Sequence, residues 1–131
     1  MDEITHLLDT HTVIWAYQDS ALLGPEARKV ISLASAFSLA VSDITLLEIS
    51  MLVSKGRLSC KIPLLKFLQK IENDFVILPI RSQESVSAMH LNLPQADPFD
   101  RVIVATAHSR HLTLLTKDSQ ISSSCLVSVL W

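Results

Sequence analysis

At 131 residues the chain is long enough to bury one core and too short for two, so a single domain spanning 1–131 is expected. Hydrophobic residues make up 49% and charged residues 18%, yet no apolar run approaches the roughly 18–20 uncharged residues that cross a bilayer. A formal charge of −2 argues against a protein that coats nucleic acid by charge alone, and Cys60 and Cys125 are too few for a disulfide framework or a thiolate metal site. The acidic opening Met1-Asp2-Glu3 lacks the basic flank of a signal peptide, so the expected compartment is cytoplasmic.

In chain order, Leu7 and Leu8 begin a short buried strand that stops at Asp9, and Thr10 to Gln18 carries Val13, Ile14 and Tyr17 at helical spacing. Leu23-Gly24-Pro25 breaks the chain, and Pro25 suits the first position of a helix through Ala34. Phe37 to Val41 reads as a strand. Ser42 or Asp43 then caps a helix to about Lys55, where Gly56 stops it. Pro63 opens a helix to about Glu72, and Phe75-Val76-Ile77-Leu78 is β-rich. Ser82 is expected to cap a helix ending near Leu91, and residues 92–96 form a loop. Pro98 begins a helix through about Ser109, with two closing strands at Thr113–Leu115 and Leu126–Leu130. Strands that are continuously apolar and alternate with helices imply a parallel sheet covered on both faces, an α/β fold. In such sheets ligands bind beyond the carboxyl ends of the strands, where strand order reverses.

Five carboxylates stand where folding alone favours apolar or neutral residues: Asp9, Glu48, Asp97, Asp100 and Asp118. Asp9 and Asp118 end strands and could serve simply as caps or turn residues. Glu48 shares a helical stripe with Ile44, Met51 and Leu52, where an unpartnered carboxylate is costly. With Pro98 as first helical residue, Asp97 is the N-cap and Asp100 falls on the inward face with Ile103, Val104 and Ala107. Acids gathered within a few ångströms cannot all ionise without a cation, because each raises the pKa of the others. Oxygen-only ligation suits Mg²⁺ or Mn²⁺ better than zinc, and the chemistry that follows is metal-assisted phosphodiester hydrolysis. His11, His108 and His111 could reach such a pocket, but none has metal-ligand spacing with another His or Cys. Five basic residues crowd one stretch, Lys55, Arg57, Lys61, Lys66 and Lys70, of which Lys55, Arg57 and Lys61 are candidate RNA contacts. No GxSxG, phosphate loop or GxGxxG is present.

The segments Leu7-Leu8-Asp9-Thr10-His11, Asp97-Pro98-Phe99-Asp100-Arg101 and Leu115-Thr116-Lys117-Asp118 resemble the PIN domain, and more narrowly the VapC-type ribonuclease toxins of bacterial type II toxin–antitoxin pairs. Ser42 to Ile49, carrying Glu48, matches the second acidic segment of that family. The resemblance implies a three-layer α/β/α sandwich around a central parallel sheet, and an Mg²⁺- or Mn²⁺-dependent ribonuclease. By position, its metal-binding and catalytic acids would be Asp9, Glu48, Asp100 and Asp118, with Asp97, Arg101 and Thr116 in support. It also implies a homodimer silenced by a small antitoxin whose tail enters the acidic groove.

Two other readings compete. One is a PIN-like module, catalytically weak, that binds RNA or a partner; retention of all four acids speaks against it. The other is a phosphatase of the haloacid-dehalogenase type, which wants a second Asp two residues after the first, where this chain has His11.

Overall fold

A computed structural model describes residues 3–35 and 37–131; Met1 and Asp2 of the acidic opening lie outside the described residues. Five strands form one parallel sheet: β1 (His6–Leu8), β2 (Leu39–Ser42), β3 (Val76–Leu78), β4 (Thr113–Leu115) and β5 (Val129–Leu130), in the order β3-β2-β1-β4-β5. Strand order reverses beside β1, which pairs β2 on one side and β4 on the other, with Leu8 opposite both Val41 and Leu115. The crevice above the carboxyl ends of β1 and β4 is therefore the switch point of the sheet.

Successive strand residues face opposite ways, and the two faces bury separate cores. Leu8, Val41 and Leu115 pack with Val13 and Ile14 of α1 (Thr10–Gln18), Ala27 of α2 (Pro25–Leu33), Ile49 and Leu52 of α3 (Asp43–Ser54), and Ile71 of α4 (Leu64–Asp74). On the other face, Leu7, Ala40 and Leu114 pack with Ile103, Val104 and Ala107 of α6 (Pro98–Arg110) and Ile121 of α7 (Ser119–Ser124). Ala88 of α5 (Ser82–His90) closes against Val102 and Ala105 of α6. The expected three-layer α/β/α sandwich is what forms. Among the described residues no helix is long and apolar enough to cross a membrane.

Several boundaries depart from the sequence reading, each for a local reason. Strand β2 starts at Leu39, because Phe37 occupies a turn at φ 68° with its ring exposed and Ser38 bonds back to Ser35. Ser42 rather than Asp43 caps α3, its Oγ accepting from the Ile44 amide at 3.2 Å. Ser82 is already helical; the residue before it, Arg81, is the N-cap and supplies no side-chain bond. Helix α4 runs on to Asp74. Helix α7 was not expected, since Ser122-Ser123-Ser124 has little helical preference, but Asp118 caps it and Ile121 anchors it in the core. That helix takes up the preceding chain, Leu126 and Val127 pack on the second core without pairing, and β5 shrinks to two residues.

Two glycines have geometric reasons. Gly56 sits at φ +70°, where it turns the chain out of α3. Gly24 caps α2 at an ordinary φ of −63° but lies under the final residue: a Cβ there would stand 2.5 Å from the Trp131 carbonyl carbon. Because that clash is with backbone, Gly24→Ala is expected to cost about 1–3 kcal/mol in urea unfolding, and much less in a chain ending at Leu130. Equal costs in both chains would show that the clash is not the cause.

Candidate active site

At the switch point the five strand-end and helix acids converge. Asp9, Glu48, Asp97, Asp100 and Asp118 line one open groove of about 610 Å³, together with His11, Trp15, Lys117, Ser119 and Gln120. Asp9 directly follows β1 and caps α1: its Oδ1 accepts from the Thr12 amide at 2.9 Å. The Thr12 hydroxyl lies 2.7 Å from both Asp9 Oδ1 and the Leu115 carbonyl, so its single proton ties the acid to the end of β4. Thr116, fully buried just beyond β4, donates its hydroxyl to Asp9 Oδ2 and accepts from the Asp118 amide at 3.1 Å. Both oxygens of Asp9 are thus oriented by threonines whose positions the β1–β4 pairing sets.

Asp118 caps α7, its Oδ1 accepting from the amides of Gln120 and Ile121 at 2.8 and 3.1 Å. Asp97 caps α6 through the Asp100 amide at 2.9 Å, the role its place before Pro98 predicts. Both caps leave their second oxygen unspent. Glu48 differs. It reaches the groove from α3 while only 7% exposed, and its Oε1 is buried with no hydrogen-bond partner among the described residues. Beside it, the hydroxyls of Thr10 and Thr45 meet at 3.0 Å and join α1 to α3.

The electrostatics follow from this crowding. Asp100 is pushed up to about 7, first by burial and then by the charges of Asp97, Glu48, Asp9 and Asp118, so every other acid of the groove acts on it. Glu48 is also held above the ordinary carboxylate range, chiefly by burial; the Thr10 hydroxyl and His11 lower it, while Asp97 and Asp9 raise it. Among the described residues, no three His, Cys, Asp or Glu side chains are gathered closely enough to hold a metal ion as they stand. The five acids nevertheless present oxygen donors alone, and one of these is a buried carboxylate oxygen that nothing among the described residues satisfies. Those two properties fit a hard divalent cation.

The remaining sequence candidates lie elsewhere. Arg101 turns away from the groove: its guanidinium donates to the carbonyls of Ala88 and Leu91 at 3.1 Å, Leu93 at 2.6 Å and Ala96 at 3.3 Å. It clamps the loop that delivers Asp97 and touches none of the acids. Lys55, Arg57 and Lys61 are exposed beyond α3 and do not line the acidic groove; Lys61 borders a separate cleft with Tyr17 and Phe67. His108 and His111 are exposed and also lie off the groove. Sequence reasoning passed over Trp15, Lys117, Ser119 and Gln120. Trp15 lies one helical turn after His11, a spacing that already placed both on one side of α1.

The PIN domain profile matches residues 6–124. Ribonuclease VapC22 of Mycobacterium tuberculosis is 33% identical over 122 residues, covering 91% of each chain. Among solved structures, the DNA-bound VapBC of Salmonella typhimurium superposes with a TM-score of 0.73 at 17% identity, over 97% of both chains. The Sarcin-Ricin loop cleaving toxin VapC20 of M. tuberculosis gives 0.71 at 12% identity, over 95% of this chain and 98% of that one. By its sequence match from β1 through α7, the chain belongs to the PIN domain family.

Proposed function

We propose that this protein is a metal-dependent endoribonuclease that hydrolyses RNA phosphodiester bonds as the toxin of a toxin–antitoxin pair in the cytoplasm. The observation that carries the reading is the buried, unpartnered Oε1 of Glu48, in a groove where four further acids press on one another. Similarity to a ribonuclease over nine-tenths of the chain supports the activity. The VapBC complexes that share the fold support an antitoxin partner, and a homodimer is proposed on the family resemblance.

Asp9, Glu48, Asp100 and Asp118 would hold Mg²⁺ or Mn²⁺. Such an ion would lower the pKa of a bound water, making hydroxide available near neutral pH, and would neutralise charge on the reacting phosphate. The chain supplies the rest. Thr12, through its amide and its hydroxyl, and Thr116 fix the Asp9 carboxylate with three bonds, and the lone pair left on Oδ2 stays free for a further ligand. Glu48 offers an oxygen with no competing partner, which favours a ligand arriving from the groove. Asp118 keeps one oxygen on its helix cap, so it contributes through the other. Asp100 must give up its proton before it can ligate, so cation affinity increases as pH rises through about 7.

In cleavage of a mixed RNA pool with Mn²⁺, Asp9→Asn and Asp100→Asn are each expected to lose about a hundredfold or more, since even partners of metal ligands are commonly worth 10–100-fold. Equal cleavage by wild type and both variants would remove the active-site assignment. Expression of the protein alone should arrest bacterial growth, with relief on co-expression of its antitoxin. Normal growth with active enzyme present would leave a nuclease that is not a toxin.

Linkage gives an independent check. The folded-state pKa of Asp100 lies above its ordinary value of 3.8, so the folded protein binds more protons than the unfolded chain between about 4 and 7. Its contribution to stability is therefore present at low pH and lost as pH rises through about 7. In chelator-treated protein, Tm should fall from pH 5 to pH 8 more steeply than in Asp100→Asn, and Mn²⁺ should restore Tm most at the upper pH. Parallel curves for the two proteins would contradict the crowding of the acids.

A further inference from the structure

One edge of the acidic groove has a different character from the rest. The rings of His11 and Trp15 stand one turn apart on α1 with centroids 5.6 Å apart and planes tilted by 48°. Trp131 braces the indole from behind, edge-on at 5.7 Å, and the Trp15 side chain packs on the core that α1 covers. The Lys117 ammonium lies 5.8 Å from the Trp15 ring centroid. All three of His11, Trp15 and Lys117 line the groove, and Lys117 is the one Lys or Arg among the residues lining it. A half-buried indole facing a wall of carboxylates gains nothing from solvent there. Packed edge-on against Trp131, it is a flat apolar surface beside the acids.

We propose that His11, Trp15 and Lys117 form a stacking platform for a nucleotide of single-stranded RNA next to the scissile phosphate. The proposal rests on the ribonuclease reading and adds how the substrate is held. A base stacks on the Trp15 indole, with the tilted His11 ring beside it, and the Lys117 ammonium moves from the ring to a backbone phosphate of that strand. Every base has a π-face, so stacking of this kind tolerates sequence. Lys117 sits between Thr116, bonded to Asp9, and Asp118, the cap of α7. Its backbone is therefore fixed to the same strand end as the acids, and a phosphate held by Lys117 is delivered to them. These three residues are positioning residues; the acids do the chemistry.

The test uses the full chain and a fluorescent, mixed-sequence single-stranded RNA oligonucleotide. KM and kcat come from initial rates with Mn²⁺, and affinity against salt comes from anisotropy in an Asp100→Asn background. Trp15→Leu is expected to raise KM roughly five- to hundredfold with little change in kcat, while Trp15→Phe restores most of the loss. Lys117→Met should lower the slope of log affinity against log salt by about 0.7, the value for one phosphate contact on a single strand. A purely structural role for Trp15 would not change the salt slope of Lys117→Met or the KM of His11→Ala, which is expected to rise less than that of Trp15→Leu. Should Trp15→Leu fail to fold, the exposed His11 and Lys117 decide by the same measures. Wild-type KM and salt slope in those two variants, with wild type active, would overturn the platform and leave the nuclease standing. Absence of RNA binding and cleavage by wild type would overturn both.

Discussion

The site is organised around the parallel pairing of β1 with β4. Because Leu8 stands opposite Leu115, the chain leaves both strands at the same height, and the residues that follow must meet. Asp9 follows one strand and Thr116 the other; Thr12 and Thr116 then bond Asp9 from both sides. A slip of one residue would reverse Leu7 and Leu8 between the two cores and part Asp9 from Thr116 at once. The apolar strands therefore fix the register, and the register fixes the first acid. Core packing and site geometry have a common origin here.

The other acids reach the same place by separate routes, each explained by the element that carries it. Asp97 and Asp118 are helix caps at the groove edge, satisfied on one oxygen and available on the other. Glu48 comes from the interior of α3 and Asp100 from the first turn of α6, and both lie on the inward side with apolar neighbours. This division also sets their electrostatics: the two without caps are the two whose pKa values are raised. A chain selected for stability alone would replace Glu48, since a buried carboxylate oxygen without a partner has a cost of order 1–3 kcal/mol. Arg101 shows the reverse economy. Four carbonyl bonds make it the clamp of the loop ahead of α6, which is how a residue outside the groove holds Asp97 at its edge.

Much of this was legible in the sequence because it is local. Continuous apolar runs marked the strands, Pro25 and Pro98 marked helix starts, and Asp97 before Pro98 predicted a cap that the structure contains. The inward stripe of Ile44, Leu52 and Glu48 identified an acid with no structural excuse. What stayed hidden depends on tertiary contact. Helix α7 has a serine-rich sequence and exists because Ile121 fills the second core. Phe37 resembles a strand residue yet turns outward at positive φ. Arg101 was grouped with the acids by its sequence neighbours, and only packing shows its side chain leaving them. The Trp15 platform was missed for a similar reason: an aromatic residue on an amphipathic helix is ordinarily core, and its exposed face is a property of the groove.

The ribonuclease reading rests on the proposed cation site of Asp9, Glu48, Asp100 and Asp118. Its most direct measurement is the anomalous difference density of crystals soaked in Mn²⁺. One or two peaks are expected inside the groove, with the nearest at about 2.0–2.3 Å from carboxylate oxygens of Asp9, Glu48 or Asp100. Mn²⁺ at saturating concentration found only outside the groove, or nowhere on the protein, would contradict it.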